Sequence, residues 1–239
     1  MRISFVIPAF NEENYIGDCL RSVVQLCPDP WIHEIIVVDN GSTDRTVEIA
    51  RSFPTVSVTH EARKGVTRAR QRGLDTATGD LLATIDADTR IDQAWLDHVK
   101  KHFAHDNIVC LVGRYIYYDY NPKQKGLYTP IAWMNKLLLA ASQRRAPYAL
   151  GGNSVYRTSA LRAAGGFNTH IDYFGEDSDT LKRLSRQGMI VRNPRFTARS
   201  SARRLNSEGF WKMFFLYRIN DVVQKITGKP ITVAAPDCR

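Results

Sequence analysis

Asp86 and Asp88 stand one residue apart at the end of an apolar run, Leu81 to Ile85. Alternate residues of an extended chain point the same way. The two carboxylates can therefore approach one divalent cation, or one can take a cation and the other a ribose hydroxyl. Without a positive partner they repel each other and resist burial. Mg2+ and Mn2+ favour such oxygen donors and accept phosphate oxygens in the rest of their shell. A solvated strand end followed by a helix cap accounts for the same residues, and a lone D-x-D does not choose between the two. Asp39 poses a similar choice. Its carboxylate can accept from N–H or O–H donors of a ligand, or close an Asx turn with Gly41. Glu176 and Asp177 follow Gly175 at the start of a helical stretch, where acids complement the helix dipole.

These residues need elements to hold them. "ISFVIPAFNEENYIGDCLRSVVQLC" reads as strand, turn and helix, with Ile16, Cys19, Leu20, Val23, Val24 and Cys27 at helical spacing. "HEIIVVDNGSTDRTVEIARSF" repeats the plan. Ile35 to Val38 is an unbroken apolar strand of the kind buried on both faces of a parallel sheet, and Ser42 or Thr43 can cap the helix after it. "TVSVTH" is a short third strand, "VTRARQRGLDTA" a helix and "DLLATID" a fourth strand. Alternation of this kind over about ninety residues predicts a doubly wound, mostly parallel α/β sheet with helices on both faces. Ligands of such sheets sit beyond the carboxyl ends of the strands. Asn11 and Glu12, Asp39 to Ser42, and Asp86 to Asp88 all fall there.

The second half is less regular. "NIVCLVGRYIYY" predicts a long strand, "GLYTPIAWMNKLLLAASQ" a helix, "GGNSVYR" a short strand and "TSALRAAGG" a helix ended by glycine. "EDSDTLKRLSRQG" is another helix, "MIVRNPRFTARS" a strand pair, and "SEGFWKMFFLYRINDVVQKI" a final helix. The expected organisation is one domain over residues 1–205, with a nucleotide half, 1–90, and an acceptor half, 91–205. A C-terminal amphipathic helix and tail, 206–239, follow.

Composition narrows the function. The chain has 239 residues, 44% apolar, which supports a sizeable core and argues against global disorder. Its net charge of +9 suits a polyanionic partner: a nucleotide diphosphate, an acidic membrane surface or nucleic acid. Cys19, Cys27, Cys110 and Cys238 form no C-x-x-C pair, so reduced thiols in a cytoplasmic protein are expected. No secretory leader and no membrane-length apolar run is visible. Neither a G-x-G-x-x-G nor a P-loop pattern occurs. His98, His102 and His105 lie at helical spacing and read as a solvated helix face.

In order along the chain stand "VIPAFNEE", "IIVVDNGSTD", "KGVTRARQRGL", "DADT", "GGNSVYR" and "GED". With these motifs the sequence resembles the inverting family 2 glycosyltransferases of the GT-A fold, from residue 3 to about 184. The resemblance implies transfer of a sugar from a nucleoside-diphosphate sugar to an acceptor hydroxyl. Pro8, Ala9 and Glu12 would line the base and ribose pocket. Asp39, beside Gly41, would bond the nucleobase or ribose, and Lys64 and Arg70 would face the nucleotide. Asp86 would reach the ribose with Ala87 as spacer. Asp88 would bind a Mg2+ or Mn2+ ion bridging the diphosphate. Glu176 and Asp177 would supply the general base, the aspartate by preference. Gly151, Gly152 and Asn153 would approach the sugar or acceptor. Two departures stand out: Gln71 replaces a frequent Asn, and "TARSSARRL" stands where many members carry a metal-binding histidine. Its Arg199, Arg203 and Arg204 would then neutralise the diphosphate, or form a solvated basic face. The acceptor implied is a saccharide or a lipid-linked molecule, with no nucleic acid partner.

The last helix is apolar nearly all round its first half. It fits either burial on the sheet or peripheral contact with the inner membrane face, helped by Lys212 and Arg218. Two other functions compete. A sugar-phosphate nucleotidyltransferase would need a glycine-rich activating loop where this chain has "PAFNEENY". A non-catalytic nucleotide-sugar-binding homologue would not need Asp88 and Asp177.

Overall fold

A computed structural model describes residues 1–119, 152–171 and 175–208, together with Val223. The expected helix around "GLYTPIAWMNKLLLAASQ", Gly151, Cys238 and the C-terminal apolar helix lie outside the described residues.

Strands β1 (Ile3–Ala9), β2 (Ile32–Asp39), β3 (Val56–His60) and β4 (Leu81–Ile85) alternate with helices α1 (Ile16–Val24), α2 (Thr46–Arg51) and α3 (Val66–Thr76). Then come β5 (Thr89–Arg90), α4 (Gln93–Phe103), β6 (Ile108–Tyr117), β7 (Asn153–Arg157), α5 (Thr158–Ala163), α6 (Glu176–Leu184), β8 (Met189–Ser200) and α7 (Arg203–Glu208). They form an eight-stranded sheet in the order β3-β2-β1-β4-β7-β6-β8-β5. The first four strands are parallel. β7 runs antiparallel between β4 and β6, and β8 lies parallel to β6.

The chain forms these strands because its apolar runs have two faces to fill. Ile3, Phe5 and Ile7 of β1 enter a core shared with α1 and α4, while Val6 enters a second core shared with α3, α5 and α6. A strand covered on both sides needs no polar alternation. Asp92 caps α4 by accepting from the Trp95 N–H at 3.1 Å. The start of α2 differs from expectation, since its N-cap residue, Arg45, makes no side-chain cap bond. Asp44, not Ser42 or Thr43, accepts from the Thr46 N–H at 2.9 Å. Ser42 is occupied elsewhere, taking the Asn11 N–H at 3.1 Å.

The expected strand pair over 189–200 is one strand with an interruption. β6 and β8 lose register between Val112–Arg192 and Arg114–Thr197. Pro194 lies in that stretch and has no N–H for the ladder, which favours a bulge. Gly113 faces the interruption, where a Cβ would overlap the Phe196 carbonyl and the Asn153 amide. The histidines of α4 also differ from expectation. His98 and His102 are half-buried against β8, with ring nitrogens 3.3 and 3.4 Å from Asn193 Nδ2.

Close packing of α3 on β1 depends on Gly73, where a Cβ would overlap both methyls of the fully buried Val6. Gly73→Ala gains about 1 kcal/mol of helix propensity, while overpacking costs about 1–3 kcal/mol. The expected net effect is a lower urea midpoint, partly restored by combining it with Val6→Ala. A midpoint equal to or above the wild-type value would mean that α3 rises from the sheet without loss.

Candidate active site

The polar clusters meet at the carboxyl ends of β1, β2 and β4, closed on the far side by β6, β8 and the starts of α6 and α7. Arg70 lies at the centre. It projects from α3 with its side chain 5% exposed. One terminal nitrogen donates to Asp86 Oδ1 at 3.2 Å, and the other lies 3.4 Å from Asp177 Oδ1 and 3.7 Å from Glu176 Oε1. Burial alone would lower its pKa, but Asp177, Asp86 and Glu176 hold it well above the ordinary arginine range.

Asp86 is gripped from a second side. Its Oδ2 accepts from the buried Tyr115 hydroxyl at 3.0 Å. Gly152 makes room for that pair, since a Cβ there would overlap both the carboxylate and the hydroxyl. The space expected to let a ligand approach Gly152 is thus filled by the protein's own side chains. Ala87 is buried and separates Asp86 from Asp88.

Asp88 accepts from the Ser200 hydroxyl at 3.2 Å and from Thr89 Oγ1 at 3.4 Å, and its Oδ2 lies 3.3 Å from Arg203. Burial first, then the charge of Asp86, pushes its pKa up to about 7 against the opposing pull of Arg203. Arg203 is itself held by Glu12, both of whose oxygens accept from the guanidinium, at 2.7 and 2.6 Å. Glu12 is therefore turned toward the arginine and away from a free role in the base pocket. Of the three arginines expected at the diphosphate, only Arg203 contacts Asp88 among the described residues. Arg199 is exposed on the opposite pleat from Ser200, and Arg204 is half-buried near Tyr117.

Among the described residues, five carboxylates, Glu12, Asp86, Asp88, Glu176 and Asp177, thus face two arginines. The imbalance shows in Glu176 as well. Burial and the neighbouring Asp177 raise its carboxyl above the usual range in spite of Arg70. Gly175 supplies the left-handed turn, φ 88°, that starts α6 and presents the acidic pair.

Pro8 and Ala9 end β1, and the loop after them is pinned to the loop after β2. Asn11, at φ 53°, accepts from the Thr43 N–H at 2.8 Å, and the Glu12 N–H donates to Thr46 Oγ1 at 2.7 Å. Asp39 forms the Asx turn, accepting from the Ser42 and Gly41 N–H groups at 2.9 and 3.2 Å, with His60 Nδ1 at 3.0 Å. Burial would raise its pKa, but the Ser42 bonds, His60 and Gly41 hold it below the usual range. With the Ser42 hydroxyl as well, these donors use the carboxylate's four lone-pair sites, so a ligand donor would have to replace one of them. Lys64 donates to the carbonyls of Asn40 and Gly41, both at 3.0 Å, and lies over the Phe10 ring.

Sequence reasoning assigned no individual role to three residues that hold this site. Asn40 donates to the carbonyls of Glu61 and Arg63 and accepts from the Gly65 N–H, all at 2.8 Å, fastening the loop that carries Lys64. Tyr115 and Ser200 bind the two aspartates. Asn beside Gly in "DNGS" was a readable turn signal. No local pattern marks Tyr115 or Ser200. Asn153 has a different place from the one expected. It is fully buried, accepts from Trp95 Nε1 at 2.8 Å and donates to the Arg114 carbonyl at 3.0 Å. Its amide is committed to joining β6, β7 and α4, leaving no free group for a sugar.

The chain matches the family model described as glycosyl transferase family 2 over residues 4–165. Among curated relatives it is 36% identical over 100 residues to glycosyltransferase AglE of Haloferax volcanii, covering 40% of this chain and 33% of that one. It is 34% identical over 122 residues to dodecaprenyl-phosphate galacturonate synthase of Rhizobium johnstonii, covering 47% of this chain and 36% of that one. The chain therefore matches only about a third of the length of these relatives. Its fold is shared with the mannosyltransferase PcManGT of Pyrobaculum calidifontis, solved with GDP-Man and Mn2+. The TM-score is 0.71 at 21% identity, covering 99% of this chain and 66% of that one. Glucosyl-3-phosphoglycerate synthase of Mycobacterium tuberculosis, solved with Mn2+ and UDP-Glc, gives 0.66 at 22% identity, covering 97% and 80%. The parallel β1–β4 half, the antiparallel β7 and the long family match make this chain a member of glycosyl transferase family 2 with the GT-A fold.

Proposed function

We propose that the protein transfers a sugar from a nucleoside-diphosphate sugar to an acceptor hydroxyl by single displacement with inversion. One observation carries the reading. Arg70 brings Asp86, on the donor side, and Asp177, on the acceptor side, onto a single guanidinium. A nucleotide seated between the β1 and β2 loops would direct its diphosphate toward Asp88 and its sugar toward Arg70. An acceptor hydroxyl would then meet the acidic pair.

A divalent cation fits this residue set. The donors are oxygens only, carboxylates outnumber arginines, and Asp88 takes a proton too readily for a lone aspartate. Among the described residues no three ligating side chains converge, so diphosphate oxygens would complete the shell. Asp88 would hold the ion, while Asp86, gripped by Arg70 and Tyr115, would reach the ribose. The cation would offset charge developing on the leaving diphosphate. Solved neighbours of the same fold were obtained with Mn2+ and nucleotide sugars, which supports the reading.

Asp177 acts as the general base and receives the acceptor's proton as its oxygen attacks the anomeric carbon. Its side chain is 22% exposed and that of Glu176 14%, so an acceptor reaches the aspartate more readily. Arg70 keeps the aspartate from rotating away. Glu176, more deeply buried, maintains the electrostatic setting of the pair. A lipid-linked acceptor at the inner face of a membrane is one form of substrate. Among the described residues no helix is long and apolar enough to cross a bilayer.

Three measurements test this reading. Asp88→Ala removes the Mn2+-dependent part of UDP or GDP binding in calorimetry, while Asp86→Ala weakens nucleotide binding with less effect on its metal dependence. Equal nucleotide affinity with and without Mn2+ in the wild type would exclude the metal role.

Asp177→Asn retains nucleotide binding and lowers transfer by about a hundredfold or more, the usual scale of acid–base catalysis. A larger loss in Glu176→Gln, at equal thermal stability, would move the base to the glutamate.

With an α-linked donor, the anomeric proton coupling of the product reports a β linkage. An α product would exclude single displacement.

A further inference from the structure

Arg203 reaches across 191 positions of sequence to Glu12. Both terminal nitrogens bond that glutamate, the guanidinium carbon lies 4.5 Å from the centre of the Tyr15 ring, and one nitrogen lies 3.3 Å from Asp88 Oδ2. The two carboxylate contacts are unequal. Glu12 is held by two short parallel bonds, the geometry that makes Arg–carboxylate pairs strong. Asp88 receives one longer contact from a nitrogen already bonded to Glu12. The guanidinium can therefore leave Asp88 and keep its anchor.

The ligand assigned above to the divalent ion thus already has a positive charge beside it. Two cations a few ångströms apart in a partly buried site repel, so an ion approaching alone must displace the guanidinium from Asp88. A nucleotide diphosphate changes the balance. It offers the arginine phosphate oxygens, which guanidinium groups bind well, and gives the ion further oxygen ligands. "SARRL" thus supplies charge from the protein where the resemblance led one to expect a histidine ligand.

We propose that Arg203 is a tethered counter-ion that competes with the divalent ion for Asp88, so that the ion is held only when a nucleotide diphosphate arrives and takes over the guanidinium. This rests on the reading of Asp88 as the metal ligand. Its consequence is an order of binding: cation and nucleotide enter together, and ion alone occupies the site poorly.

Electron paramagnetic resonance of free Mn2+ tests it on the full chain, alone and with UDP or GDP. The wild type is expected to bind Mn2+ weakly alone and at least tenfold more tightly with one of the nucleotides. Arg203→Ala should bind Mn2+ alone about tenfold more tightly than wild type, and nucleotide should then add little. Arg203→Met, which keeps an unbranched side chain beside Tyr15 without the charge, gives the same result if the alanine variant unfolds. Arg203→Lys, which keeps the charge, should stay near wild type. Equal Mn2+ affinity of wild type and both neutral variants without nucleotide, with thermal unfolding unchanged, overturns the counter-ion role alone. Nucleotide-dependent Mn2+ binding that survives Asp88→Asn places the ion elsewhere, and overturns both this proposal and the reading beneath it. So does the absence of Mn2+ binding in every arm.

Discussion

A buried arginine shared among three carboxylates sets the terms for the rest of this site. Arg70 lies 3.2 to 3.7 Å from Asp86, Asp177 and Glu176, which come from strand β4 and from a helix nearly a hundred residues later. A charge taken out of water is tolerated when it is paired and hydrogen-bonded. Here the pairing is possible only if the sheet, α3 and α6 keep their relative positions. Thr67 strengthens the same arrangement by donating to the Ile171 carbonyl at 2.8 Å, and Gln71 by accepting from the Phe167 N–H at 2.7 Å. One face of α3 therefore orders the chain that leads to the acidic pair. Loss of the Arg70 charge would leave three acids without a shared partner, so the arrangement of these acids rests on one side chain.

The β1 to β4 side of the site was largely legible in the sequence because its elements follow from local pattern. Unbroken apolar runs gave β1, β2 and β4, and polar residues just beyond them marked the sheet edge where the site lies. Asp86, Asp88, Glu176 and Asp177 stood out by type and position, and the structure brings them together around Arg70 and Arg203. What was not legible depends on distant partners. Tyr115 is one aromatic residue in a strand rich in them, and its hydroxyl matters only because Gly152 leaves space for Asp86 beside it. Asn153 reads as a site residue beside two glycines, yet Trp95, the Arg114 carbonyl of β6 and the Phe196 carbonyl of β8 claim its amide. Glu12 was placed in a base pocket because the residue that turns it aside is 191 positions away. Pro194 was visible from the start. It marks the break in pairing within β8 and does not divide the strand in two.

The same features explain why the site carries excess negative charge. Among the described residues the acids outnumber the arginines that could neutralise them. Asp88 and Glu176 are both raised toward neutrality by burial and neighbouring acids, and two arginines reduce the repulsion without removing it. Backbone turns take up part of the donor-side chemistry as well. Asp39 and Asn40 hold the loops of β2 and β3 before any ligand is present, so a nucleotide would meet a shaped cleft.

The long reach between Arg203 and Glu12 also bears on the order in which the molecule is made. Chains emerge from the ribosome amino end first. Residues 1–90, with their four adjacent parallel strands, are complete before β8 and α7 exist. Throughout that interval Glu12 and Asp88 lack Arg203, while Asp86 already has its partner Arg70 in the same stretch of chain. The pairing of β6 with β8 and the arrival of α7 close that interval. The Arg203–Glu12 pair can therefore form only late in synthesis, and a nascent chain stalled before residue 203 would present β1 to β4 without it.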